Sequence, residues 1–262
     1  MQVLVCIKQV PDTTRVEIDE KTGSLMRGGV DSKINLYDLH ALEAALTLKE
    51  RHQADITVLT MGPPQAETAI REALALGADA GCLLSDRAFA GADVLATSYA
   101  LSQAVQALGD FDLILCGKQT SDGDTAQVGP ALAEHLNIPH AAWVTEISSL
   151  DGAAITAVQD MGDSLQQVRL PLPCLLTLEK GTATLRLPSF RRKRQMEAVS
   201  ITHLILDDLP DQDPMHYGAD GSPTRVERIF PPPALVDNER LEGNPDILVD
   251  ALLDALVARK II

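Results

Sequence analysis

The stretch Asp55–Leu84, DITVLTMGPPQAETAIREALALGADAGCLL, decides the fold. Its first seven residues, Asp55–Met61, are rich in β-branched side chains and read as a buried strand. Pro63 and Pro64 suit the first turn of a helix, where a missing N–H costs nothing. Ala66, Ala69, Ile70, Ala73 and Leu74 then follow at helical spacing, and Gly77 is the C-terminal stop. Gly81–Leu84 is a second short apolar run. Strand, helix and strand within about 30 residues form a βαβ unit, whose strands run parallel.

The same rhythm extends to both sides. Gln2–Ile7 is an earlier strand, and Leu39, Leu42, Ala45, Leu46 and Leu48 mark a helix from Asp38 to about Arg51. Downstream, Asp93 to about Leu108 is a helix closed by Gly109, Asp112–Cys116 is a strand, and a further helix is expected from about Asp124 to Leu136. After Pro139 the pattern changes to strands without helices, at Ala141–Ser149, Ala153–Val158, Gln166–Leu170 and Leu175–Leu178, with turns at Asp151-Gly152 and Gly162-Asp163. The fold class is α/β, a Rossmann-like open, mostly parallel sheet with extra β-strands.

Composition shifts again near 191, dividing the chain into an α/β domain at 1–190 and a C-terminal segment at 191–262. The segment holds a basic run (Arg191-Arg192-Lys193-Arg194), an acidic, Pro-rich stretch (Asp207 to Pro214), Pro231-Pro232-Pro233, and an amphipathic helix from Pro245 to about Arg259. Too thin to fold alone, it reads as a tail or as an arm ordered against a partner. The helix stripe of Ile247, Leu248, Ala251, Leu252, Ala255 and Leu256 needs a cover, which favours the arm. The basic run reads equally as a solvated turn or as steering for an acidic partner.

Composition also excludes function classes. Against 37 acidic residues stand 22 basic ones, a formal net charge of −15, so a nucleic acid is not the expected partner. Met1-Gln2-Val3-Leu4-Val5 runs straight into a strand pattern without a basic leader, and no stretch reaches membrane-spanning length, so no membrane insertion and a cytoplasmic location are expected. Cys6, Cys82, Cys116 and Cys174 are widely spaced in apolar runs, which argues against a metal site. With three Tyr, four Phe and one Trp, aromatic stacking is not the expected grip on a base.

Ligands of open parallel sheets bind beyond the carboxyl ends of the strands. The loop after the fourth strand is the richest: Gly117, Lys118, Gln119, Thr120, Ser121, Asp122, Gly123, Asp124, Thr125, Ala126, Gln127 and Val128. Glycines permit close backbone approach, and hydroxyls and amides crowd a helix start, a recipe for holding phosphate. It matches neither the Walker loop nor G-x-G-x-x-G, and a capped surface loop is the alternative. Asp122 and Asp124 would repel phosphate and are expected to cap the helix or to accept from ribose hydroxyls. Lys8, after the first strand, reads by itself as a solvated residue, Asp93 as a helix cap, and Thr97 as a helix hydroxyl. No catalytic constellation is present, so binding or carrying outranks hydrolysis.

Taken together, VLVCIKQVPD (3–12), GVDSKINLYDLHALEAAL (29–46), LTMGPPQAE (59–67), ALALGAD (73–79), SDRAFAGADVLATS (85–98), LILCGKQTSDGDTAQVGP (113–130) and LPLPCLLTLEKG (170–181) resemble the β subunit of electron-transfer flavoproteins. GDTAQVGP, SDRAFAGAD and Gly221-Ser222-Pro223-Thr224 are more similar to the flavin-bifurcating anaerobic branch. The resemblance implies a heterodimer with an α subunit that carries a catalytic FAD, and FAD, or AMP in its place, bound in the β subunit. Carried over by position, Cys6, Asn35, Leu36, Tyr37, Asp38, Met61 and Gly117 to Val128 line the nucleotide pocket. Thr97 approaches the second flavin, and Thr224 belongs to an arm on the partner. Electrons would pass from NADH to ferredoxin or flavodoxin and to a dehydrogenase, such as an acyl-CoA or 2-hydroxy-acid dehydrogenase. Two departures bear on this. Val94 replaces a frequent threonine, removing a hydrogen bond to the flavin, and Ala183-Thr184-Leu185-Arg186 replaces an N-E-P-R-like loop that contacts the acceptor dehydrogenase. The reading from another class is an ATP-binding or ATP-hydrolysing α/β protein.

Overall fold

A computed structural model describes residues 1–12, 32–196, 198–227 and 240–262. Thr13, residues 29–31 of the quoted motif and Pro231-Pro232-Pro233 lie outside the described residues. The elements in chain order are β1 (Gln2–Cys6), β2 (Gln9–Pro11), β3 (Ser32–Ile34), α1 (Leu36–His52), β4 (Asp55–Met61), α2 (Glu67–Leu76), β5 (Ala80–Leu84), α3 (Val94–Leu108), β6 (Leu113–Gly117) and α4 (Val128–Leu136). They continue with β7 (His140–Leu150), β8 (Ala154–Asp160), β9 (Leu165–Pro171), β10 (Cys174–Leu178), α5 (Phe190–Met196), β11 (Thr202–Leu204) and α6 (Pro245–Ala258). The main sheet has nine strands in the order β11-β5-β4-β1-β6-β10-β7-β8-β9. It is parallel from β11 to β7, and β8 and β9 extend it antiparallel.

Alternation along the buried strands builds two cores. Val3, Val5, Leu113 and Leu115 point to one face, with Leu42 and Leu46 of α1 and Ile70 and Leu74 of α2. Leu4, Ile114 and Cys116 point to the other, with Leu101 and Val105 of α3 and Leu132 of α4. Strands apolar on both faces need helices on both faces, which the βαβ units supply.

Strand order locates the place where a ligand can enter. The chain leaving β1 passes through α1 to β4 on one side, whereas the chain leaving β6 passes through α4 to β7 on the other. The loops beyond β1 and β6 therefore leave in opposite directions, the switch point at which open parallel sheets form their ligand crevice.

The helix expected from Asp124 begins at Val128. Asp124 and Ala126 have φ of 52° and 56°, a left-handed conformation that no helix start tolerates. Residues 198–226 close on this chain's own sheet: β11 pairs with β5, and Leu209 and Tyr217 are buried in the α3-side core. The compact unit runs Met1–Val226, past the change of composition at 191. Within the basic run Arg192 is not a solvated residue. Its guanidinium donates to the carbonyls of Leu74 (2.9 Å), Gly77 (2.9 Å) and Ala78 (2.7 Å), capping α2.

The second unit, Glu227–Ile262, contains α6. Asn244 caps it by accepting from the Ile247 N–H (3.1 Å), and Ile247, Val249, Leu252, Leu253 and Val257 are exposed along it. Among the described residues no helix is long and apolar enough to cross a membrane.

Candidate nucleotide-binding crevice

Asn35 and Asp38, at the start of α1, hold the crevice together. The Asn35 Nδ2 donates to the Gln119 carbonyl (2.8 Å), and its Oδ1 accepts from the Ser121 N–H (3.3 Å). Asp38 accepts from the N–H of Lys8 (2.7 Å), beyond β1, and from that of Gly117 (3.2 Å), at the end of β6. One helix start thus stitches two strand ends that neighbour each other in space but lie about a hundred residues apart. Both side chains are buried, Asn35 fully. Burial pushes the Asp38 carboxyl up from 3.8 to about 7, against hydrogen bonds from Asn35, Lys8 and Gly117 and the Lys8 charge.

Gly117 is required by this packing. A Cβ there would lie 2.3 Å from Asp38 Oδ1 and 2.7 Å from both the Asp38 nitrogen and the Tyr37 carbonyl carbon. Gly123 is less confined, since its Cβ would meet Thr120 Oγ1 at 3.3 Å and the Lys8 Nζ at 4.0 Å.

The loop above is ordered by its own polar groups. Lys8 is not a free surface lysine; its ammonium pairs with Asp122 Oδ1 at 2.8 Å. Burial alone would raise Asp122, but the hydrogen bond and charge of Lys8 outweigh it and hold the carboxyl below its ordinary value. Asp124 accepts from the Gln119 side chain, and its N–H donates to the Thr120 carbonyl (2.9 Å). Neither aspartate caps α4, the first of the two roles expected of them, because the left-handed residues carry the chain away before the helix begins. Gln127 is the N-cap residue and makes no side-chain cap, and the first turn of α4 carries no acidic residue. The Val128 and Gly129 N–H groups thus have no side-chain acceptor among the described residues, Pro130 has no N–H to satisfy, and the left-handed Ala126 lies just before them.

Three groups at this edge escaped the reading of the sequence. Glu179, just past β10, pairs with Lys118 at 2.6 Å, and the Lys118 ammonium sits 4.1 Å from the centre of the Trp143 ring. Lys180 covers the Tyr37 ring at 4.4 Å. The signal was available: LEKG follows a parallel strand, and its loop opens on the same edge as the others.

The structure brings Cys6, Asn35, Tyr37, Asp38 and Gly117 to Gln119 to one edge, with Ser121 tied to Asn35 and Asp122 to Lys8. Leu36 is partly exposed at the head of α1, and Met61 ends β4 against the α3-side core. Thr120 supports Gly123 through its hydroxyl (3.3 Å), and Thr125 and Gln127 are exposed, with Val128 opening α4. Thr97 is not drawn in by any hydrogen bond among the described residues; its N–H bonds to the Asp93 carbonyl within α3 (2.9 Å). Asp93 does cap α3, accepting from the Ala96 N–H (3.1 Å). It also accepts from the Thr224 hydroxyl (2.7 Å) and N–H (3.1 Å), so Thr224 is tied to its own chain. Arg186, in the departing loop, is clamped by Glu43 (2.7 Å) and Glu50 (2.8 Å). Among the described residues no group of three or more His, Cys, Asp or Glu side chains could hold a metal.

Comparison with known proteins agrees with this architecture. Residues 22–204 match the model of the electron transfer flavoprotein domain. The chain is 42% identical to Protein FixA of Bradyrhizobium diazoefficiens, with 98% of this chain and 91% of that relative aligned. It is 41% identical to the electron transfer flavoprotein subunit beta of Megasphaera elsdenii over the whole of both chains. It is 44% identical to subunit CarD of the caffeyl-CoA reductase–Etf complex of Acetobacterium woodii, over 93% of this chain and 92% of that one.

Proposed function

The chain belongs to the electron transfer flavoprotein β-subunit family, and from that premise we propose that its β1–β6 crevice holds an adenine nucleotide. In our reading the nucleotide is FAD, in a heterodimer with an electron-transfer flavoprotein α subunit. The observation that carries this is the convergence of Asn35, Asp38, Lys8 and the Gly117–Val128 loop on the switch point of the sheet.

The residues present fit such a group. The uncapped start of α4 offers backbone N–H groups to a diphosphate, and Lys8 adds a positive charge beside Asp122. Thr120 and Ser121 place hydroxyls within the loop, and Gly123 leaves open the approach of a ligand to the backbone. When bound, FAD supplies the redox chemistry, accepting and releasing electrons. The chain's own part is to orient that group: the Asn35 and Asp38 stitches set the distance between the two strand ends, and the Lys118–Glu179–Trp143 cluster walls one side.

The likeness to a subunit of a caffeyl-CoA reductase–Etf complex supports service to a reductase or dehydrogenase. It also supports the bifurcating reading, in which NADH electrons divide between a low-potential ferredoxin or flavodoxin and a dehydrogenase. In that complex α6, with its exposed apolar side chains, is the arm that packs on the α subunit.

The experiment is a cofactor count on the co-purified heterodimer after denaturing release. Two FAD per heterodimer is the expected result. One FAD and one AMP would remove bifurcation while keeping the crevice, and no nucleotide in this subunit would remove the site. A colourless chain that liberates phosphate from ATP would instead support the hydrolase reading.

A further inference from the structure

Two thiols meet at the floor of the same crevice. Cys6 ends β1, Cys116 precedes the last residue of β6, and the parallel register places them directly beside each other. Both side chains point to the sheet face covered by α3 and α4, as do Leu4 and Ile114 two residues before them. Neighbouring strands lie about 4.8 Å apart. That separation falls within the roughly 4.4–6.8 Å between Cα atoms that a disulfide spans. No slip of either strand is needed to join them.

Their environments differ in a useful way. All four cysteines are free thiols, but only Cys6 is partly open, whereas Cys82, Cys116 and Cys174 are buried. The hydrogen bond with Cys6, then burial and the nearby Cys6 and Asp38, push Cys116 well above the ordinary thiol range. Cys82 on β5 and Cys174 on β10 are pushed up to about 12 by burial. Neither has a cysteine as its register partner.

From this juxtaposition we propose that Cys6 and Cys116 form a modification site, which a hydroperoxide converts into an intrachain disulfide between β1 and β6. The open thiol reacts first. With hydrogen peroxide, the Cys6 sulfur attacks one oxygen, the O–O bond breaks, and the other oxygen leaves as water with the displaced proton. The Cys116 sulfur then attacks the Cys6 sulfenic sulfur; the S–S bond forms, the S–O bond breaks, and the hydroxyl leaves as a second water with the Cys116 proton. Two thiols lose two electrons and one peroxide is reduced to two waters. Cys116 is a poor nucleophile toward a distant target, so it resolves only a partner already beside it. The new bond sits one residue before Gly117, whose N–H binds Asp38, and so stiffens the floor of the crevice.

The test treats the full-length chain, co-purified with its partner subunit, with hydrogen peroxide, followed by denaturation, alkylation with iodoacetamide and peptide mapping. The expected result is alkylation at Cys82 and Cys174 alone, with a linked peptide pair carrying Cys6 and Cys116 that dithiothreitol separates. Alkylation of all four cysteines would overturn the proposal. So would Cys6 as a sulfinic acid beside an alkylated Cys116, or a link to Cys82 or Cys174. A Cys6→Ser complex given the same dose should keep Cys116 alkylatable, and loss of that label would refute the order of reaction. Repeating the treatment on a complex first stripped of bound nucleotide, with and without excess AMP, separates this proposal from the nucleotide reading. Slower pairing fits an occupied crevice, and pairing at an unchanged rate counts against the nucleotide while sustaining the disulfide.

Discussion

Asp38→Asn is the substitution that most directly probes how the crevice is held. Asp38 accepts N–H groups from Lys8 and Gly117, one on each carboxylate oxygen. Asparagine keeps one acceptor and turns an NH2 toward the other N–H, leaving a buried donor unsatisfied at a cost of about 1–3 kcal/mol. The pH dependence is more diagnostic than the loss itself. The unfolded chain releases the Asp38 proton near 3.8, whereas burial raises the folded value to about 7. Between those values the folded state holds a proton that the unfolded state has lost. Raising the pH through this window therefore favours unfolding by about 1.4 kcal/mol per pH unit, and the effect stops above pH 7. From pH 5 to pH 8 wild type should lose about 2–3 kcal/mol relative to Asp38→Asn, so the variant's deficit shrinks or reverses. Urea denaturation of both proteins across that range measures it. Parallel stability profiles would refute the assignment of a buried, titrating carboxyl to this stitch.

Other perturbations follow from the same geometry. Gly117→Ala should open the α1–β6 junction, because its Cβ lands 2.3 Å from Asp38 Oδ1; nucleotide release at least tenfold faster than wild type is expected in a cofactor-retention assay. Lys8→Met removes a partly exposed ion pair, worth under about 1 kcal/mol in thermal denaturation. The same variant should nonetheless weaken AMP binding measured by calorimetry. Arg186→Ala strands the buried Glu43 and should cost about 2–3 kcal/mol, with faster proteolysis between Gly181 and Ser189. Arg192→Ala unties three carbonyls from the end of α2 and should cost about 1–2 kcal/mol, read as a lower urea midpoint.

Local pattern carried the secondary structure because it rests on nearest neighbours along the chain. The apolar runs of β1, β4, β5 and β6, the stripes of α1 and α2 and the span of α3 emerge at the expected places, and Asp93 caps α3 as its position suggests. The errors fall where the chain contradicts its local propensities. Ser121–Gln127 has the polar, acidic composition of a helix start, yet Asp124 and Ala126 take left-handed backbones and α4 waits until Val128. That choice is made with contacts to Lys8 and Asn35, neither of which is visible in the loop's own residues.

The amino-acid order alone determined the alternation of strands and helices, hence the parallel sheet, and its motifs named the family. The ties were decided only in three dimensions: Lys8 to Asp122, Arg192 to the end of α2, Thr224 to Asp93, and Asp38 between two strand ends. The physical reason is range. Periodicity records which face of an element must leave water, and a few neighbouring residues suffice for that. A buried carboxyl, by contrast, takes whichever N–H groups the crossovers deliver, and strand order, not sequence distance, sets which ones arrive.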